Sequence, residues 1–397
     1  MVDADNARPS ETGATPSEAS AAHDEGDELK VAHLDADAFY VAVELSRHPE
    51  LRGRPVIVAG SGPRAVVTTA SYEARRFGVG SAMPAARARR LCPEAVSIPP
   101  DFATYRAVSR RLMDIVRAHV ETVEVVGLDE AYLDVAGLHS PRAALRRLVV
   151  EIKRALGLSC SVGIGPNKLV AKVASDAEKP GGFLVLTRSQ ACERFASAPP
   201  AIVPGIGPKT AARLSDLGLT TLAALAAAPE QLLVERFGAN HGRDLRRRAR
   251  FEHDGVVGAP HKNVSESRER TFDRDIADRR ELEARLERLA RELCDSLAAH
   301  GRSGRTIGIK VRLDDFTTVT RARTLALPTC DGDVVSVTAL ELLRAYGPAR
   351  PVRLLGVRVA GFADAGTRQA GVDGAREGSD GRAGSAPDQL RLAVGAQ

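Results

Sequence analysis

The sequence predicts an α+β protein of several domains, and three observations carry the prediction. At 397 residues with 44% hydrophobic content, the chain is long enough for more than one core, because domains usually take about 100–200 residues each. In its first half, short apolar runs alternate with helical ones and include a hairpin pattern, which is how a mixed sheet-and-helix layer reads in sequence. Residues 191–250 then turn Ala- and Leu-rich with helical periodicity, a separate helical module, before a second mixed region closes the chain.

Taken in order, residues 29–34 read as an apolar strand, and residues 56–59 and 65–69 as two more. The last of these runs into a helix bearing Tyr72 and Arg75, an arrangement suited to phosphate because a helix N-terminus offers free N–H groups. Residues 123–126 and 131–135 form an antiparallel hairpin pattern with Asp129 and Glu130 at its turn. A strand over 158–164 leads through Gly165-Pro166-Asn167-Lys168 into a helix over 169–175, closed by Lys179-Pro180-Gly181-Gly182. Beyond a linker at 251–261, residues 264–272 read as a strand, and Asp278 caps a helix whose Leu282, Leu286, Leu289, Leu293 and Leu297 recur at helical spacing. Residues 305–313 alternate strictly, with Ile307, Ile309, Val311 and Leu313 on one face and Lys310 and Arg312 on the other. A strand over 316–325 presenting Arg321 and Arg323, a helix starting at Asp333, and a strand over 354–359 complete the folded part.

Composition narrows the function classes. The formal charge is +5 and the isoelectric point about 9.1, and residues 1–28 are acidic, so the folded part is more basic still and suits a polyanionic partner. Cys92, Cys160, Cys192, Cys294 and Cys330 are odd in number and never spaced as CxxC, which suggests neither a disulfide framework nor a zinc site. No apolar run approaches the roughly 18 residues of a membrane span, and no signal-peptide pattern opens the chain, so the expected location is cytoplasmic. Residues 1–28 and 364–388 lack periodicity and read as disordered ends.

Two acidic clusters carry the chemistry: His33-Leu34-Asp35-Ala36-Asp37 and Leu128-Asp129-Glu130-Ala131-Tyr132-Leu133-Asp134, each where an apolar strand meets a turn. Hard divalent ions such as Mg²⁺ take oxygen ligands and leave room for water and phosphates, so carboxylates converging from a rigid sheet suit phosphoryl transfer. Alone, an Asp at a strand end is more often a turn former and an Asp-Glu pair more often solvated surface.

Several strings in order remove that ambiguity: HLDADAFYVAVE, ELRGRPVIVAG, TTASYEARRFGVGSAMP, LDEAYLDV, SVGIGPNKLVAKVASDAEKPGG, VPGIGPKTAARL, GRTIGIKVRLDDFTTVTRARTL and VRLLGVRVAG. Over residues 31–361 the chain resembles the Y-family translesion DNA polymerases of the DNA polymerase IV type. The resemblance implies a right-hand architecture: a palm over 29–38 and 101–180, small fingers over 39–100, a helix-hairpin-helix thumb over 181–250, a linker over 251–261 and an α/β little finger over 262–363. Flanking these are the acidic tail 1–28 and the tail 364–397. The activity implied is low-fidelity, template-directed DNA synthesis in lesion bypass, by a monomer acting on primer-template DNA and deoxynucleoside triphosphates.

Residue by residue, the resemblance implies two Mg²⁺ ions held by Asp35, the Ala36 backbone carbonyl, Asp129 and Glu130, with Asp37 and Asp134 structural. Tyr40 matches the steric gate against ribonucleotides, where the family commonly carries Phe; Phe39, Thr69, Tyr72, Arg75 and Lys168 match nucleotide contacts. Gly205, Gly207 and Lys209 would bind a DNA phosphate through a helix-hairpin-helix turn, with Arg246, Arg247, Arg248 and Arg250 adding charge nearby. Arg268, Arg270, Lys310, Arg312, Arg321 and Arg323 would track the DNA backbones. Gln389, Leu390 and Leu392 resemble a sliding-clamp peptide lacking its final Phe. Two rivals are a catalytically inactive DNA-binding scaffold, which the intact Asp35, Asp129, Glu130 and Tyr40 argue against, and a nucleotidyl cyclase, which needs neither the hairpin thumb nor a basic last domain.

Overall fold

The computed structural model describes residues 28–260 and 263–362. The expected acidic tail and the peptide of Gln389, Leu390 and Leu392 fall on residues outside those described. In chain order the strands are β1 (Val31–Ala36), β2 (Val56–Ala59), β3 (Val67–Ala70), β4 (Val96–Ile98), β5 (Val123–Val125) and β6 (Glu130–Asp134). They continue with β7 (Cys160–Gly165), β8 (Phe183–Val185), β9 (Ser265–Ile276), β10 (Gly304–Leu313), β11 (Thr318–Thr329) and β12 (Val352–Phe362).

Five of them make the sheet that positions the site, in the order β5-β6-β1-β7-β8. β1 lies at its centre, antiparallel to both neighbours, with Asp35 opposite Glu130 of β6 and Ser161 of β7. Because side chains alternate along a strand, β1 sends Ala32, Leu34 and Ala36 into one core and Val31, His33 and Asp35 to the other face. The first core is filled by Leu112, Met113 and Val116 from the helix Phe102–His119 and by Leu145, Leu148 and Ile152 from Pro141–Leu156. On the other face sits the helix Lys168–Ala177, started by Asn167, whose side chain accepts the Val170 N–H. Its approach is unusually close at Gly163, where a Cβ would lie 2.0 Å from the Ala171 carbonyl oxygen, so only glycine fits there.

A three-stranded sheet, β3-β2-β4, carries the segment between β1 and the long helices. β2 faces two ways: Val56 and Val58 join the first core, while Ile57 and Ala59 join a small core of their own with Val67, Ala70, Ala74 and Ala88. The helical module that follows is not packed by itself. Its Leu214, Leu225, Leu233 and Leu245 share one core with Leu169, Val170 and Val173 of the helix Lys168–Ala177, so that helix belongs to the sheet and the module alike.

The last sheet runs β11-β10-β12-β9. The helices Arg279–Ala299 and Gly332–Tyr346 cover one face, and Ile307, Ile309, Val311 and Leu313 point into that core as their alternation requires. Asp278 caps the first helix by accepting the Glu281 N–H. The second is capped by Asp331, not by Asp333 as the sequence suggested, since Asp331 takes the N–H groups of Asp333 and Val334. No helix among the described residues is long and apolar enough to cross a membrane.

Candidate active site

Asp35 ends β1, Glu130 opens β6 directly opposite, and the Ala36 N–H donates to the Asp129 carbonyl at 2.8 Å, which knits the two acidic clusters into one edge. Three carboxylates therefore meet where the sequence reading put them. Asp37 stands apart, its two oxygens taken by the Ser161 hydroxyl (2.7 Å) and the Gly181 N–H (2.8 Å), and Asp134 accepts the Ala136 N–H in a turn.

Two lysines missing from the expected site sit on the carboxylates. Lys172 Nζ lies 3.1 Å from Asp35 Oδ2 and 2.8 Å from Glu130 Oε2, and Lys179 Nζ lies 2.6 Å from the same Asp35 oxygen and 2.8 Å from Asp176. His33, nearly fully buried, places Nδ1 2.8 Å from the Ser175 hydroxyl and Nε2 3.3 Å from Glu130 Oε2. The available signals were faint: Lys172 is one helical turn beyond Lys168, and Lys179 opens the helix-closing Lys-Pro-Gly-Gly.

Lys168 itself is elsewhere. Its ammonium is 2.5 Å from Glu124 Oε2 on β5, an oxygen that also accepts the Gly258 N–H, and it lies over the Tyr132 ring. A cation at a helix N-terminus needs an anion to offset the dipole; here the chain supplies one of its own, so the expected triphosphate contact does not follow from that position.

The electrostatics separate the three acids. Burial, then repulsion from Asp35 and Glu130, pushes the Asp129 carboxyl up to about 6. Glu130 is held down to about 2, first by His33 and then by the Lys172 charge against the opposing effect of burial. Asp35 Oδ1 and Glu130 Oε1 accept no hydrogen bond among the described residues. Crowded negative charge with carboxylate oxygens that accept no hydrogen bond fits a hard divalent cation; His33, Asp35 and Glu130 offer ligand atoms within 4.8 Å of one another, a group that brings in an imidazole nitrogen and does not include Asp129.

Around this edge the remaining expected residues divide. The helix Phe39–Arg47 begins at Ala38, whose φ of 45° turns the chain sharply after β1, and it lacks a side-chain cap. Tyr40 on its first turn packs against Tyr105 (4.7 Å between rings) and Phe102 (6.0 Å); burial and the Asp129 charge push its hydroxyl up to about 12. The Phe39 ring is enclosed in the core, which leaves only its backbone to meet a ligand. Ser71 starts the helix Tyr72–Arg75 by accepting the Ala74 N–H. Thr69 is buried on β3, the Tyr72 hydroxyl is buried without a partner, and Arg75 is exposed with its guanidinium 4.5 Å from the Tyr72 ring centre. The Tyr72 hydroxyl, raised chiefly by burial, also feels Asp37, Arg75, Lys179 and Asp35, which ties this helix to the acidic edge.

The matches to known proteins can be set beside this geometry. The impB/mucB/samB family model matches residues 34–176 and that family's C-terminal domain model matches 263–372. The chain is 40% identical to a DNA polymerase IV of Caulobacter vibrioides over 94% of both chains, and 41% identical to a DNA polymerase IV of Methanoculleus marisnigri over 86% of this chain and 97% of that one. The chain belongs to the Y-family DNA polymerases, of the DNA polymerase IV type. A Y-family DNA polymerase chimera of Dbh and Dpo4 segments superposes on the polymerase with a TM-score of 0.74 at 26% identity, covering 83% of it and 98% of the chimera.

The polymerase's expected DNA contacts are redistributed by strand register. Gly205 (φ 90°) and the exposed Gly207 form the hairpin turn before the helix Pro208–Ser215, whose first turn carries the exposed Lys209. The arginines nearby are occupied: Arg248 donates to the Pro204 carbonyl, Arg250 to the Ala226 carbonyl, Arg247 pairs with Asp254, and Arg246 with Glu230. In the last sheet, Arg321 and Arg323 stand opposite Ile309 and Ile307, and Arg268 and Arg270 opposite Val357 and Leu355, which puts all four on the helix-bearing face. Arg321 accordingly lies over Tyr346, and Arg323 pairs with Glu341. Lys310 and Arg312 do point to the open face. Arg358, which sequence reasoning passed over, joins them there between Gly308 and Ser267.

Proposed function

We propose that this DNA-directed, translesion polymerase joins nucleotides at the edge where β1 meets β6, with Asp35, Asp129, Glu130 and the Ala36 carbonyl holding two Mg²⁺ ions. The observation that carries this reading is the crowding of three carboxylates, two of them with an oxygen that accepts no hydrogen bond among the described residues, at one end of a rigid sheet. Bound there, Mg²⁺ supplies Lewis acidity toward a primer 3′-hydroxyl and neutralises charge on the incoming triphosphate.

The chain's own residues do the rest. Arg75, which pairs with no carboxylate among the described residues, and Lys179, near both Asp35 and Tyr72, supply positive charge to non-bridging phosphate oxygens, and Thr69 and the Tyr72 hydroxyl, unpartnered among the described residues, donate hydrogen bonds. Lys179 takes the place the sequence reading gave to Lys168. Tyr40, beside Asp129 and backed by Phe102 and Tyr105, excludes a 2′-hydroxyl by occupying its space. DNA is gripped through Gly205, Gly207 and Lys209 on one side and through Lys310, Arg312 and Arg358 on the other, by contacts that position the backbone and read no sequence.

Primer extension tests the reading. With template, Mg²⁺ and four deoxynucleotides, wild type extends the primer, and Asp129→Ala, folded as judged by circular dichroism, falls at least about a thousandfold. Extension by Asp129→Ala at the wild-type rate removes this edge as the active site.

A further inference from the structure

Lys172 lies at the acidic edge and touches three carboxylates: Asp35 Oδ2 at 3.1 Å, Glu130 Oε2 at 2.8 Å and Asp176 at 3.5 Å. Its reach depends on the helix Lys168–Ala177 lying directly on Gly163, the residue opposite His33 in β7. The side chain is 19% exposed, so the ammonium is screened little by solvent. Lys179 differs, since it also acts on Tyr72 at the nucleotide helix, whereas Lys172 acts on Glu130 and Tyr132.

This contact divides each carboxylate. Asp35 Oδ2 and Glu130 Oε2 are held by ammonium groups, and Asp35 Oδ1 and Glu130 Oε1, which accept no hydrogen bond among the described residues, are left for another ligand. A tethered ammonium between two carboxylates takes much of the electrostatic place that a divalent ion seeks there. We propose that Lys172 is a positioning residue: a built-in cation that keeps Asp35 and Glu130 aligned in the ion-free enzyme and competes with a divalent ion for them. Full ion binding then waits for the negative charge that nucleotide and primer bring. The inference rests on the ligand reading given above for Asp35, Asp129 and Glu130.

Mn²⁺ binding to the full chain without DNA or nucleotide, followed by the electron paramagnetic resonance signal of free Mn²⁺, reads this competition without turnover. Mn²⁺ takes the same oxygen donors as Mg²⁺. Lys172→Gln and Lys172→Met should each bind Mn²⁺ about tenfold more tightly than wild type, and Lys172→Arg, which keeps the charge, within about twofold of it. If the neutral variants fold and bind no more tightly than wild type, the inference is overturned. Equal Mn²⁺ binding by wild type and Asp129→Asn would instead bring down the ligand reading itself. Binding that weakens in Asp129→Asn and is indifferent to Lys172 removes only the role of Lys172.

Discussion

Asp129 is the acid whose charge the chain does least to compensate: Asp35 has Lys172 and Lys179, Glu130 has Lys172 and His33, and Asp129 has repulsive neighbours. Its carboxyl, at about 6 in the folded protein against an ordinary 3.8, binds its proton more tightly folded than unfolded. Linkage then makes the ion-free protein lose stability as pH rises from about 4 through 6. The full shift corresponds to about 3 kcal/mol, and partial exposure and coupling reduce this to about 1–2 kcal/mol. Glu130, held at about 2 against 4.5, acts oppositely, contributing stability that is complete above 4.5 and lost as pH falls through 2. Asp129→Asn in chelator should therefore melt higher than wild type at pH 8 and equally at pH 4, and Mg²⁺ should raise the wild-type midpoint more than the variant's. Coincident melting curves at pH 8 would contradict this account of Asp129. The residue scale also shows what sequence could reach. Asp35, Asp129 and Glu130 were legible because strand ends fix where their side chains go. The lysines were only faintly so, because Lys172 reaches the carboxylates through the seating of a helix on Gly163, a contact between segments that its spacing from Lys168 does not show.

At the scale of elements, the alternation of a strand tells which residues share a face, and the apolar ones among them tell which face is covered. For β10 the apolar residues settled the matter, so Lys310 and Arg312 were placed correctly on the open side. β11 carries Val319, Leu325 and Leu327 in the same alternation as Arg321 and Arg323, so its own sequence already sets those arginines on the apolar side, where they stand opposite Ile309 and Ile307. Arg268 and Arg270 on β9 likewise alternate in step with the buried Phe272 and Ile276. The face of each arginine was thus legible in the alternation of its own strand, and a reading by charge alone passed over it. A direct consequence concerns DNA. Arg312→Ala and Arg358→Ala should each weaken primer-template binding and lower the slope of log affinity against log salt by about one, whereas Arg323→Ala should leave that slope unchanged. Arg323 instead loses its Glu341 partner on the helix Gly332–Tyr346. Fluorescence anisotropy across a salt series checks all three, and an equal loss of slope in Arg323→Ala would return it to the DNA-binding face.

For the whole molecule, the last sheet is joined to the rest by one linker, yet a polar contact also holds it to the small three-stranded sheet. Arg64, in the loop between β2 and β3, donates to the Phe272 carbonyl at 3.0 Å and to Asp275 Oδ1 at 2.8 Å, both on β9, across more than two hundred residues of chain. The loop is drawn in close: a Cβ on Gly62 would lie 2.9 Å from Asp273 Oδ1. The hydrogen bond from Arg64, and then its charge, holds the Asp275 carboxyl below the usual range, so that carboxylate stays ionised through neutral pH. The contact joins the last sheet to the loop between β2 and β3. Isolated exposed ion pairs contribute about 0–1 kcal/mol, but this one is partly buried and shares its guanidinium with a backbone carbonyl, so reversing its charge sets two anions face to face. Arg64→Glu should therefore loosen the arrangement, seen as a larger radius of gyration in small-angle scattering and faster amide exchange across 272–276. The charge-swapped double variant Arg64→Glu with Asp275→Arg should recover most of both. Unchanged scattering and exchange in Arg64→Glu would mean that the little finger is held in place by the linker and its packing alone.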